Sequence, residues 1–127
     1  MKVYSQFRAI HPVLPVRDIE LAVQYYVERL GFHLAFRDRS EACNYVGLRR
    51  DGVELHLQWH DEADFKDVEA GTLMLRFFIT DPETLFDEYR TKGVFHNQTQ
   101  LRDTPWGTRE FAFFDLNGHG LTFYRDL

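Results

Sequence analysis

Hydrophobic positions fall into two rhythms along this chain, and the sequence of rhythms comes round twice. The first round begins with an extended run, Ala9 to Val16, interrupted by Pro12 and Pro15 and so suited to an edge or bulge. The spacing then becomes helical. Ile19, Val23, Tyr26, Val27 and Leu30 form one apolar stripe, Asp18 can cap it, Glu20 stands in its first turn and Gly31 ends it. Period-two alternation predicts three strands after that: His33 to Arg39, Cys43 to Leu48, and Val53 to Trp59. The turn Arg49-Arg50-Asp51-Gly52 joins the last two.

The second round repeats the order. Thr72 to Thr80 reads as a strand, Asp81 as a cap with Pro82 at the first helical position, and Leu85, Phe86 and Tyr89 as the stripe that stops at Gly93. Strands are predicted at Phe95 to Leu101, Arg109 to Phe114 and Leu121 to Tyr124. A turn glycine, Gly52 and then Gly118, precedes the final strand of each round. Agreement in order and spacing across five elements argues for two copies of one βαβββ unit. The modules span residues 8–60 and 72–126, joined by an acidic segment, 61–71, that reads as an exposed linker. A sheet carrying one helix buries one face only. Two such modules can curl around a cleft, either within one chain or across a homodimer.

Composition narrows the classes. The 127 residues suit one domain, and the high aromatic share of 16%, with 12 Phe, needs a core or a ligand to lie against. A net charge of −5 argues against nucleic acid and mildly favours cationic partners. The one cysteine, Cys43, excludes an intrachain disulfide or a Cys-rich zinc site, and with no basic residue within two positions it reads as a small strand residue. No apolar run approaches a membrane span or a signal peptide, so no membrane partner and a cytoplasmic location are expected.

The stretch IHPVLPVRDIELAVQYYVERLGF (10–32) resembles the opening of the vicinal-oxygen-chelate superfamily, which includes glyoxalase I, extradiol dioxygenases and the bleomycin resistance proteins. DTPWGTREFAFFDLNGHGLTFY (103–124) is similar to the bleomycin resistance branch in particular. The resemblance implies an α+β fold of two βαβββ modules, curled mixed sheets around a cleft. Metal-dependent members place one ligand on the first and one on the last strand of each module. Carried over, this gives His11 and Glu54, with His56 two residues on. The second module offers only Leu73 or Met74, and Thr122. Half a ligand set implies no metal cofactor, less than one metal ion per purified chain, and a leaning away from catalysis.

Strand alternation turns His11, Val13, Glu54, His56, Gln58, Met74, Arg76, Phe78, Thr122 and Tyr124 the same way. Arg76 interrupts an apolar run and must reach solvent, a carboxylate such as Glu54, or a ligand. Pro105 and Gly107 stiffen and bend the turn that holds Trp106, which either packs the hairpin or stacks on something. In the resistance proteins the matching tryptophan stacks on the drug's planar bithiazole tail. Phe36 stands where they carry another stacking aromatic, and Trp59 ends the fourth strand nearby. The ligand-binding set expected from these residues is Trp106, Phe36, Trp59, Arg76, Phe78 and Tyr124. His60 reads as a solvated loop residue and His119 as a turn residue, while His33 and His96 show no site spacing. The leading function implied is non-catalytic sequestration of a small aromatic, cationic, antibiotic-like molecule by a homodimer. The alternatives are a metal-dependent lyase, isomerase or dioxygenase of the same superfamily, or a structural or regulatory domain with a vestigial cleft.

Overall fold

The two rhythms fold into two sheets of four strands each. A computed structural model describes residues 3–127. The first sheet has order β1-β4-β3-β2, from β1 (Val13–Val16), β2 (His33–Arg37), β3 (Tyr45–Arg50) and β4 (Val53–Trp59). The second has order β5-β8-β7-β6, from β5 (Met74–Phe78), β6 (Arg102–Asp103), β7 (Thr108–Phe114) and β8 (Gly120–Asp126). In each the first strand runs parallel to the last and the other pairings are antiparallel. The mixed sheets and the paired βαβββ order are those the sequence implies.

Both helices begin where their aspartates stand. The carboxylate of Asp18 accepts the Leu21 N–H at 3.0 Å to start α1 (Ile19–Gln24), and Asp81 accepts the Thr84 N–H at 3.0 Å to start α2 (Pro82–Arg90). The first helix widens into a π-helical stretch over Tyr25–Arg29, a departure that the apolar stripe alone does not announce.

Three expectations are corrected. Strand β1 is shorter than Ala9 to Val16, because Pro12 has no N–H to donate; it enters only through its carbonyl, which accepts the His56 N–H at 2.9 Å. No strand forms over Phe95 to Leu101. The polar residues between those two apolar ends make a turn instead, with the Thr99 N–H donating to the His96 carbonyl at 3.1 Å and the Thr99 hydroxyl donating to the Ala112 carbonyl at 3.0 Å. The 61–71 segment is only partly a solvated linker. It holds a 3₁₀ turn, Glu62–Phe65, whose Phe65 is buried beneath the Arg17 guanidinium at 4.0 Å.

One core serves both modules. Leu14, Val16, Tyr26, Leu30, Leu55 and Leu57 from the first meet Tyr89, Phe111, Phe113, Leu121 and Phe123 from the second. Polar clasps close the junction. Tyr26 Oη donates to buried Asp115 at 2.6 Å, Tyr89 Oη donates to the Leu30 carbonyl at 2.7 Å, and the Arg50 guanidinium forks onto Glu88 at 2.8 Å through each nitrogen. His119 belongs to this junction rather than to a free turn: it is buried, and its Nε2 donates to the Pro15 carbonyl at 2.6 Å. Because both helix-side faces are spent on this shared core, the other face of each sheet is left open. Among the described residues no helix is long and apolar enough to cross a membrane.

Candidate ligand-binding site

On the second sheet the open face is a grid set by strand register. Phe78 pairs with Tyr124, Tyr124 with Glu110 and Glu110 with Arg102, which makes one row; Arg76, Thr122 and Ala112 make the next, and Met74, Gly120 and Phe114 the third. Period two keeps all of these on one side. Phe78 is 66% exposed and Met74 59%, a large apolar exposure at the two ends of the edge strand β5. A groove of about 320 Å³ runs over this face, bounded by Met74, His96, Arg102, Glu110, Phe114 and Thr122.

Trp106 stands on the turn that leads into β7, outside the lining of this groove. Gly107 takes φ +88°, a left-handed conformation that glycine adopts without penalty, and this turns the chain so sharply that the indole is 60% exposed. It is nonetheless fixed. Its Nε1 donates to Glu110 Oε1 at 2.9 Å, and the Thr108 hydroxyl donates to the same oxygen at 2.7 Å. The other carboxylate oxygen accepts Arg76 Nη1 at 3.2 Å. Burial pushes the Glu110 carboxyl up, but the bonds from Thr108, Arg76 and Trp106 outweigh it and hold the group ionised below its ordinary range. Arg76 therefore pairs with Glu110 of its own module, not with Glu54. Its guanidinium carbon lies over the Tyr124 ring, 4.3 Å from the centroid.

The first sheet's open face has a different chemistry. Phe36 lies directly on Gly47, where an added Cβ would come within 2.1 Å of the ring. It also stacks beside Tyr45 and presents its ring toward His56. Next to it His11, Glu54 and His56 bring one donor atom each within 4.8 Å of one another. His56 Nε2 is 2.8 Å and His11 Nε2 3.5 Å from Glu54 Oε2. The bond from His56, joined by Arg49 on the remaining Glu54 oxygen, brings the carboxyl pKa down to about 2. Two imidazoles and a carboxylate are donors that divalent iron or zinc accepts. Register makes Met74 the counterpart of His11 and Thr122 that of His56, so the second module adds no donor of this kind.

Trp59 departs from the predicted set. It is out of phase with Glu54, His56 and Gln58 and shares the side of Leu55 and Leu57 at the strand's exposed end. The structure thus groups Trp106, Arg76, Phe78 and Tyr124 on one face and Phe36 on the other. The group that sequence reasoning missed is Glu110. Its signal was present: a carboxylate interrupts the apolar strand TREFAFF at the same alternation as Tyr124.

Residues 8–123 match the family described as the Glyoxalase/Bleomycin resistance protein/Dioxygenase superfamily. The chain belongs to this superfamily. It is 26% identical to a bleomycin resistance protein of Geobacillus stearothermophilus over 129 aligned residues, covering 91% of this chain and 95% of that one. Among solved structures, the bleomycin-binding protein of bleomycin-producing Streptomyces verticillus, complexed with copper(II)-bleomycin, superposes with a TM-score of 0.76 at 27% identity, over 94% of this chain and 97% of that one. TioX of Micromonospora sp. ML1 gives a TM-score of 0.74 at 26% identity, over 94% and 100%. This superfamily member thus shares its fold and nearly its whole length with bleomycin-binding and bleomycin resistance proteins.

Proposed function

We propose that this protein binds and sequesters a flat aromatic, antibiotic-like molecule without breaking a bond in it. The observation that carries the reading is Trp106, a large exposed ring locked by Glu110 at the edge of an aromatic face formed with Phe78 and Tyr124. A rigid, half-solvated aromatic surface loses little entropy when a planar ligand stacks on it. The net charge of −5 acts at longer range and favours a ligand that is cationic overall. Similarity to bleomycin-binding proteins supports the same reading. The open sheet faces, with Val13, Phe36, Met74 and Phe78 all exposed, are the surfaces a second copy would cover, so the working form is a homodimer in the cytoplasm.

Tryptophan fluorescence tests this directly, since Trp59 and Trp106 are the only indoles. Titration with metal-free bleomycin should quench saturably at one ligand per chain. Trp106→Ala should weaken binding by about 1–3 kcal/mol; unchanged affinity would remove Trp106 from the site. A second reading, metal-dependent catalysis, rests on the His11, Glu54 and His56 cluster. Those three residues would hold the ion, which would supply Lewis acidity toward a chelating substrate. One tightly held metal per purified chain would favour it.

A further inference from the structure

The charge on the Trp106 face differs from that of the chain as a whole. Five of the acids, Asp61, Glu62, Asp64, Asp67 and Glu69, are exposed in the segment between the modules. On the three rows of the second sheet between Phe78 and Met74 the one carboxylate is Glu110, and it is not free. Its side chain is only 8% exposed, and its oxygens already accept Thr108, Trp106 and Arg76. Asp126, the next acid on this side by alternation, lies a row past Tyr124 at the exposed end of β8. The remaining acids near β7 are committed on the opposite side, where Arg109 binds Asp103 and Glu83, and Arg125 binds Glu83 as well.

The cations are the groups with capacity to spare. Arg76 has five N–H donors, gives one to Glu110 and is 42% exposed. Set over the Tyr124 ring and bonded once to Glu110, its planar fork is held in place with donors to spare. Arg102 is exposed, lies 5.9 Å from the Trp106 ring and makes no side-chain hydrogen bond among the described residues. The first sheet's face repeats the arrangement, since Glu54 is already held by Arg49 and His56. Glu110 within those three rows and Glu54 on the first sheet's face are both occupied; the exposed Asp126, which shares a cleft with Phe78, stands one row beyond them.

We infer that the part of the ligand lying against Trp106 carries an anionic oxygen group, a carboxylate, beside its flat ring. Arg76 is the anchor for that group and Glu110 the positioning residue that holds Arg76 and Trp106 in register. This rests on the aromatic-binder reading and sharpens it: the acidic surface attracts the ligand as a whole, while the contact surface recognises an acid on its ring. Arg76 already shows the geometry, for a carboxylate is the partner it holds in the free protein.

A matched series separates the possibilities: quinoline-2-carboxylate, quinoline-2-carboxamide and 2-(aminomethyl)quinoline, each titrated against the full chain by tryptophan fluorescence and calorimetry at low and high salt. The carboxylate should bind about tenfold more tightly than the amide, with the amine weakest, and the gap should narrow with salt. Arg76→Gln should abolish the preference, with circular dichroism and the urea-unfolding midpoint certifying that the variant is folded. If that variant does not fold, Arg76→Lys decides, because it keeps the charge: a retained carboxylate preference supports the inference and its loss overturns it. Equal binding of all three rings, or a preference that persists in Arg76→Gln, overturns the inference and leaves the aromatic-binder reading standing. Binding of none overturns both.

Discussion

Glu110→Gln changes one atom beneath Trp106, and the structure fixes what should follow. The wild-type carboxylate accepts three donors, two on Oε1 and one on Oε2. Glutamine has one acceptor oxygen and an NH₂ that only donates. With its oxygen toward Trp106 and Thr108, the NH₂ faces the Arg76 guanidinium, donor against donor. Flipped, it satisfies Arg76 and leaves the indole N–H without a partner, while the Thr108 hydroxyl can rotate to accept. Either way one charge-assisted hydrogen bond is lost, worth about 1.5–3 kcal/mol when fully shielded. Solvent around the half-exposed Arg76 reduces this to about 1–2 kcal/mol. For a chain of this size that lowers Tm by roughly 3–6 °C. The pH dependence has a definite sign. The carboxyl sits below its ordinary value of 4.5 in the folded protein, so its stabilisation is fully present above that value and is lost as pH falls through the folded value. Urea unfolding at pH 7 and again near pH 3 should therefore show a gap between wild type and variant that shrinks in acid. Equal stability at neutral pH, or a gap indifferent to pH, would refute the view that Glu110 acts as an ionised hub.

Other parts of the molecule give sharper single readouts. Tyr26→Phe deletes the donor that Asp115 accepts at 2.6 Å across the module junction, and should cost about 1–3 kcal/mol in urea unfolding because that oxygen stays buried. Gly47→Ala puts a methyl into the Phe36 ring, and should cost about 1–3 kcal/mol and shift Phe36 off the first sheet's face, seen as changed ring resonances by NMR. Elemental analysis of the purified protein should find less than one metal ion per chain; one zinc, nickel or iron per chain would give the His11, Glu54 and His56 cluster a role that the missing donors at Met74 and Thr122 argue against.

The βαβββ repeat was legible because its signals are local. Asp18 and Asp81 cap through their own side chains, Gly31 and Gly93 stop the helices, and Val53 to Trp59 alternates without interruption. What stayed hidden depends on residues far apart in the chain. Phe95 and Leu101 look like strand ends, yet the polar turn between them bonds across to Ala112 and no ladder forms. His119 in a Gly-flanked turn looks solvated, but 104 residues separate it from the Pro15 carbonyl that it meets. Arg76 could be recognised as needing a partner. Choosing Glu110 over Glu54 required knowing that the two sheets stand on opposite sides of a shared core. Trp59 was grouped with the site because it ends the fourth strand, whereas its phase along that strand puts it on the side of Leu55 and Leu57.

That last rule has a consequence for how this protein could change its target. Along β4, β5, β7 and β8 the odd-numbered residues Leu55, Leu57, Leu75, Phe77, Phe111, Phe113, Leu121 and Phe123 line the core, and the even-numbered ones take the other face, where Thr108, Glu110 and Thr122 are themselves buried. Phe78, Ala112 and Phe114 can therefore be randomised together with the apolar core intact, and Met74 and Arg76 added at the cost of their contacts with Gly120 and Glu110. A library built at Phe78, Ala112 and Phe114 should stay folded in most of its members while its preferences scatter, which would make the scaffold readily retargeted by selection.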